Sequence, residues 1–282
     1  MKLLFSIILT ASLLLSCETK SPIEIAKKDK PLIEYVNPFI GTGGHGHTYP
    51  GATMPFGMMQ LSPDTRLDGW DGCSGYHYSD EYIYGFSHTH LSGTGVSDYG
   101  DILLMPTNSI NFNNGSNTST GSASEKKGYK SHFSHDNEIA QPGYYKVHLD
   151  DTNIDVELTV SKRSGIHKYQ FPTESEQFVI LDLEHRDQVL DYKIQKINDS
   201  TISGFRHSKA WATDQRLFYT IQFSKSIKNI TYIEDGTPIS KNYKYQSKKA
   251  AIEFDNPNND PVYVKIGISA VDQAGATKNL QQ

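Results

Sequence analysis

An all-β fold, an antiparallel sandwich or barrel, is what the sequence predicts, and three observations predict it. Apolar and polar residues alternate with period two in many short segments, as strands with one buried face require. These segments recur about every ten to twenty residues, with no amphipathic helix between them, which argues against a βαβ chain. Aromatic residues make up 11% of the 282, with 17 Tyr, 12 Phe and 2 Trp, enough ring area to offset the ordering entropy of a core.

The elements follow in order. Residues 1–16 read as a signal peptide: Lys2 supplies the positive charge, and Leu3 to Leu15 form an apolar run too short to span a bilayer. The run ends at Leu14-Leu15-Ser16-Cys17, which looks like a bacterial lipobox, so Cys17 is expected to carry a lipid that anchors a secreted lipoprotein in the periplasm or at the cell surface. The alternative is a plain secretion signal with a coincidental cysteine. With Cys17 acylated, Cys73 is left as a lone thiol, read as a buried structural residue because no catalytic signature surrounds it. Residues 17–30 are polar and serve as a tether, and the folded domain spans 31–282.

Residues 41–100 hold 13 of the 22 glycines, 5 of the 11 histidines and nine aromatics, which predicts ordered functional loops between short strands rather than a linker. Residues 107–127 are rich in Asn, Ser, Thr and Gly and read as an exposed loop. Beyond Tyr129, alternation predicts strands over 144–149, 154–160, 165–171, 201–205, 217–223, 251–254 and 262–268. Only Gly275 to Gln282 looks like the start of a helix.

The formal net charge is −5, with charges of both signs interspersed, so the basic footprint that a phosphate backbone demands is missing and nucleic acid is excluded as a partner. The glycines of 41–46 lack the strand and helix that a phosphate cradle needs. His45, His47, His88 and His90 form two His-x-His pairs that could share a strand face toward a metal; hydrogen bonding within loops is the preferred reading, because no acidic or Cys ligand set accompanies them at motif spacing. Trp70 is flanked by Gly69 and Gly72 and followed by Asp71. A flat apolar ring beside a carboxylate suits a pyranose, which needs a face to stack on and acceptors for its hydroxyls. The competing reading is a Trp that plugs the edge of the sandwich. Asp64, Asp68, Asp71 and Asp80 invite a search for a hydrolytic carboxylate pair, but in glycine-rich loops they read as turn formers.

Longer motifs then carry a resemblance: Tyr35-Val36-Asn37-Pro38-Phe39-Ile40-Gly41-Thr42, Tyr49-Pro50-Gly51-Ala52, Pro55-Phe56-Gly57-Met58, Leu61-Ser62-Pro63-Asp64-Thr65, Cys73-Ser74-Gly75-Tyr76 and Gly85-Phe86-Ser87-His88-Thr89-His90-Leu91-Ser92-Gly93-Thr94-Gly95. In this order they resemble the N-terminal domain of glycoside hydrolase family 92, calcium-dependent inverting exo-α-mannosidases. The resemblance runs from about residue 33 to 281, through Lys265-Ile266-Gly267-Ile268-Ser269. It implies a β-sandwich of the galactose-mutarotase-like (supersandwich) type, whose loops lean over an (α/α)6 barrel and help shape a mannose pocket. It implies carbohydrate contacts by Trp70, Asp71, Tyr76, His88 and His90, with α-mannoside glycans and the barrel as partners. The general acid, general base and calcium ligands of the family belong to the barrel and match no position here, so no catalytic or metal-binding residue is assigned. This chain alone is expected to be inactive, either as part of a mannosidase or as a free-standing glycan-binding lipoprotein.

Overall fold

The computed structural model describes residues 30–115, 128–234, 237–239 and 247–282. Met1–Tyr35 forms a unit by itself, and its described part holds a 3-10 turn over Leu32–Tyr35. The signal segment, Cys17, the tether up to residue 29 and most of the 107–127 loop lie outside the described residues.

The second unit, Val36–Gln282, is built from strands. In chain order they are β1 (Ala52–Thr53), β2 (Gln60–Asp64), β3 (Tyr82–Ile83), β4 (Gly85–Ser87), β5 (Leu103–Thr107), β6 (Ser131–His132), β7 (Glu138–Gln141), β8 (Tyr144–Leu149) and β9 (Ile154–Val160). There follow β10 (Ser164–Gln170), β11 (Phe178–Asp182), β12 (Gln188–Asn198), β13 (Thr201–Lys209), β14 (Gln215–Phe223), β15 (Ser226–Glu234), β16 (Thr237–Ile239), β17 (Lys249–Asp255) and β18 (Val262–Ser269). One sheet has the order β1-β2-β4-β5-β11-β17-β15-β16, the other β12-β13-β14-β18-β10-β9-β8-β7, and β3 pairs with β6. Every described pairing is antiparallel. The fold is an antiparallel β-sandwich.

Side-chain alternation explains the second sheet. In the β8–β9 pair, Tyr145 faces Leu158, Val147 faces Val156 and Leu149 faces Ile154, and all six are buried while their neighbours lie nearer solvent. The first sheet is centred on β5 and β11, continuous apolar runs buried along their whole length. Both sheets contribute to one apolar core, with Leu61 and Val179 from the first and Tyr145 and Val264 from the second. The single α-helix among the described residues, α1 (Gln273–Leu280), is capped by Asp272, whose carboxylate accepts from the Gly275 amide at 2.6 Å. It lies against Gly267 of β18, where a Cβ would stand 2.3 Å from the Leu280 nitrogen and 2.4 Å from the Ala276 oxygen.

The loops that matter leave one end of the sandwich. Ser87 of β4, Leu103 of β5 and Asp182 of β11 lie together there, so loops 88–102 and 183–187 emerge side by side. The 183–187 segment carries the chain from the first sheet into β12 of the second. Gln188 pairs with Lys209, which places the β13–β14 turn, residues 210–214, at the same end.

Candidate functional site

Trp70 stands on a 3-10 turn, Trp70–Gly72, and is 57% exposed. Three loop segments meet here: residues 45–47, the turn that carries Trp70, and residues 93–95. From the first, His47 meets the indole edge-on, with ring centroids 4.3 Å apart, and His45 lies 5.1 Å away. From the third, Gly95 lets the indole come so close that a Cβ there would sit 2.2 Å from its nitrogen. The first and third segments are themselves joined, because the Gly93 amide donates to the His47 carbonyl at 2.7 Å.

Asp71 faces the same two imidazoles. His45 Nδ1 is 2.7 Å from Asp71 Oδ1, and His47 Nε2 is 3.5 Å from it. The hydrogen bond from His45 holds the Asp71 carboxyl below the ordinary carboxylate range. His45 is exposed and His47 buried, so the carboxylate has one neighbour in solvent and one in the interior. A half-exposed indole, a carboxylate and an exposed imidazole thus stand within one small surface. Together they can stack an apolar ring, accept hydroxyl protons and donate to a ligand oxygen.

The other contact residues expected from the sequence, Tyr76, His88 and His90, are buried. Tyr76 is buried, with its hydroxyl 3.0 Å from both oxygens of Glu138, which also accepts from Tyr145 at 2.6 Å. His88 is fully buried: Nδ1 donates to the Ile102 carbonyl at 2.5 Å and Nε2 meets His167 Nε2 at 2.9 Å. Because a carbonyl only accepts, His88 Nε2 receives the His167 proton, and His167 Nδ1 accepts from the Tyr169 hydroxyl at 2.8 Å. Burial lowers His88 to about 4, so this chain of rings is neutral at ordinary pH. His90 is buried with Nδ1 2.8 Å from the Gln60 carbonyl and Nε2 3.3 Å from Asp64. Burial pushes the Asp64 carboxyl up, but the flanking His90 and His185 imidazoles outweigh it and hold it well below the usual range. The histidine pairs therefore split by function: His45 and His47 brace the surface Trp-Asp pair, whereas His88 and His90 are core hydrogen-bonding groups.

Of the remaining acidic candidates, Asp68 is exposed and Asp80 is occupied. Asp80 accepts from Arg66 Nε at 3.1 Å and from Thr65 at 2.9 Å. The buried Cys73 thiol donates to the Thr94 carbonyl at 2.5 Å. Calcium needs six or more oxygen ligands. Among the described residues no group of three or more His, Cys, Asp or Glu side chains is arranged to hold a metal.

Sequence reasoning missed a second group at the same end. Arg186, buried, donates through Nη2 to the Gly72 carbonyl at 2.9 Å and to Ser97 Oγ at 2.7 Å. Its own carbonyl accepts from Arg206 Nη2, and Arg206 Nη1 pairs with Asp101. Asp187 follows in the left-handed region at φ 62° with one carboxylate oxygen enclosed and unpaired, and burial pushes its pKa up to about 6. Trp211, 69% exposed, stands on the turn beyond β13. Nothing in the sequence around Arg186 or Trp211 signalled this group, because its partners Gly72 and Asp98 are remote in the chain.

The family model of the glycosyl hydrolase family 92 N-terminal domain matches residues 35–269. A solved family GH92 alpha-mannosidase from Bacteroides thetaiotaomicron, in complex with mannoimidazole, is 37% identical with a TM-score of 0.80, over 89% of this chain and 34% of that one. A family GH92 inverting mannosidase from the same organism shares the fold at 22% identity and a TM-score of 0.71, covering 90% of this chain and 34% of its own. An uncharacterized secreted glycosidase of Arthroderma benhamiae is 30% identical over 148 residues, 52% of this chain and 18% of that protein. The chain thus spans about a third of the solved relatives and less of the curated one. It belongs to glycosyl hydrolase family 92, whose N-terminal domain it carries.

Proposed function

We propose that this domain supplies one wall of an α-mannoside site, completed by a second domain that carries the catalytic carboxylates and any calcium. The observation that carries the proposal is the Trp70–Asp71 pair: a half-exposed indole braced by His47 and Gly95, with its neighbouring carboxylate held by His45. A mannose ring lays its apolar C–H face on the indole, and Asp71 accepts from one of its hydroxyls. Inversion at the anomeric carbon needs an acid and a base far enough apart to admit water. Those two groups belong to the second domain, so the domain described here positions substrate and does not itself cleave it. The kinship with a mannosidase that binds mannoimidazole supports mannose as the sugar. The chain is exported through residues 1–16 and held at the membrane by a lipid on Cys17. Tyr76, His88 and His90 act through the loops they support.

The test is calorimetric titration of the full chain with methyl α-mannoside and short α-mannosides, with and without calcium, beside Trp70→Ala. Millimolar binding, independent of calcium and weakened roughly tenfold in the variant, is expected. Binding that survives Trp70→Ala unchanged would overturn the assignment of the wall.

A further inference from the structure

Both tryptophans of the chain are exposed, and neither belongs to the core. An exposed indole on a frayed loop would mean little. Trp211, however, sits on a turn whose backbone is locked: the Ala210 amide donates to the Ala212 carbonyl at 3.0 Å, and the Ala212 amide donates to Asp98 Oδ2 at 2.5 Å. Asp98 is 2% exposed and accepts a further bond from the Tyr99 amide at 2.8 Å. A buried carboxylate from the 88–102 loop is therefore spent on holding the Trp211 turn in one conformation.

The Trp70 turn is fastened to the same support. Arg186 Nη2 binds the Gly72 carbonyl and Ser97; Arg206 joins the Arg186 carbonyl to Asp101; and Gln215, just beyond the Trp211 turn, donates to Asp101 Oδ2 at 2.5 Å. Arg186, Arg206 and Asp101 are all buried. One network of buried charged groups is thus hydrogen-bonded to both turns. Asp187 is linked through its chain neighbours to both turns. Its predecessor Arg186 is tied to the Trp70 turn, while its successor Gln188 pairs with Lys209, the residue before the Trp211 turn. The Asp187 carboxyl is partly exposed, and no donor satisfies its enclosed oxygen.

We infer that Trp211 and Asp187 form a second sugar subsite beside Trp70, which takes the next pyranose ring of an α-mannoside of two or more units. The inference rests on the proposed mannoside wall and extends it along the glycan. It selects for chain length: a monosaccharide fills the Trp70 position alone, whereas a disaccharide or trisaccharide reaches Trp211, and Asp187 accepts from a hydroxyl of that second ring.

Two tryptophans give two indole N–H resonances, so nuclear magnetic resonance of the 15N-labelled full chain reads each subsite separately. Trp211→Phe assigns the signals. Methyl α-mannoside is expected to shift the Trp70 resonance alone, and α-mannobiose and α-mannotriose to shift both. Trp211→Ala, a change at an exposed position, is expected to leave methyl α-mannoside affinity intact and to weaken mannotriose binding roughly fivefold. If mannotriose moves Trp70 but not Trp211, the second subsite is wrong while the mannoside wall stands, and Trp211 faces a protein domain instead. If neither resonance moves with any mannoside, both readings fail.

Discussion

A methyl group added to Gly95 would sit 2.2 Å from the Trp70 indole nitrogen, so in Gly95→Ala the loop and the ring must part. Gly95 is exposed, and the loop can move to admit the methyl. Stability should therefore fall by no more than about 1 kcal/mol, while mannoside affinity falls nearly as far as in Trp70→Ala. Thermal unfolding and titration, run on the same preparations, check the two halves. Unchanged affinity would mean that the indole needs no fixed position. Asp187 yields a prediction of the opposite kind. Burial raises its folded-state pKa to about 6, above the ordinary carboxylate value near 4. For a raised acid the folded state holds the proton more tightly than the unfolded chain. The associated stability is complete below about pH 4 and is lost as pH climbs through about 6. Asp187→Asn removes that loss and should stabilise the protein at pH 7 by about 1 kcal/mol, a figure reduced for the partial exposure of the group, with little change at pH 4. Urea unfolding between pH 4 and 7 reads the difference; parallel profiles for the two proteins would rule it out.

Strand β13 carries the element whose removal should cost most. Arg206 lies in mid-strand, 1% exposed, and its guanidinium serves Leu183, Arg186, Ser208 and Asp101. Arg206→Met leaves Asp101 as a buried charge without its arginine, and the expected loss is about 3–5 kcal/mol in denaturant unfolding. A loss below about 1 kcal/mol would mean that water or Gln215 takes over the role. The same residue marks where the sequence becomes hard to read. Strands β8 and β9 follow the alternation because one face of each is buried and the other is not, and β14 and β18 follow it until both faces become buried, at residues 219–221 and 266–269. Strand β12 hides from it: as the edge of its sheet it buries only Ile194, so Leu190 and Ile197 stand exposed and the period disappears. Strands β5 and β11 hide for the opposite reason, being apolar on both faces. The Trp70–Asp71 pair was legible because glycine, tryptophan and aspartate adjoin in sequence. Arg186 and Trp211 were not, since their partners, Gly72 for the one and Asp98 for the residue after the other, stand 114 positions away. Only the register of two sheets brings such positions together.

On the scale of the molecule, the loop-bearing part of the chain leaves large apolar groups in water. Ile40 is 74% exposed, Phe56 fully so, Trp70 57% and Trp211 69%. A net charge of −5 on 282 residues gives weak repulsion between copies. Apolar groups of this size, unopposed by charge, favour covering one another or another domain. Self-association is therefore expected, seen as an average mass in light scattering that rises with protein concentration. The two aromatic positions separate its causes. Phe56 lies in the Pro55-Phe56-Gly57-Met58 segment, away from the Trp-Asp pair in sequence, and Phe56→Ser should lower association without touching sugar binding. Excess mannotriose should lower association only as far as Trp70 and Trp211 take part in it, because a glycan seated on the indoles excludes a second copy from them. A constant monomer mass at every concentration would show that these groups are too scattered to form an adhesive face. An association that resists Phe56→Ser yet dissolves in mannotriose would place the contact on the indoles, and the surface read here as a glycan wall would then also be the one by which the domain meets its partner.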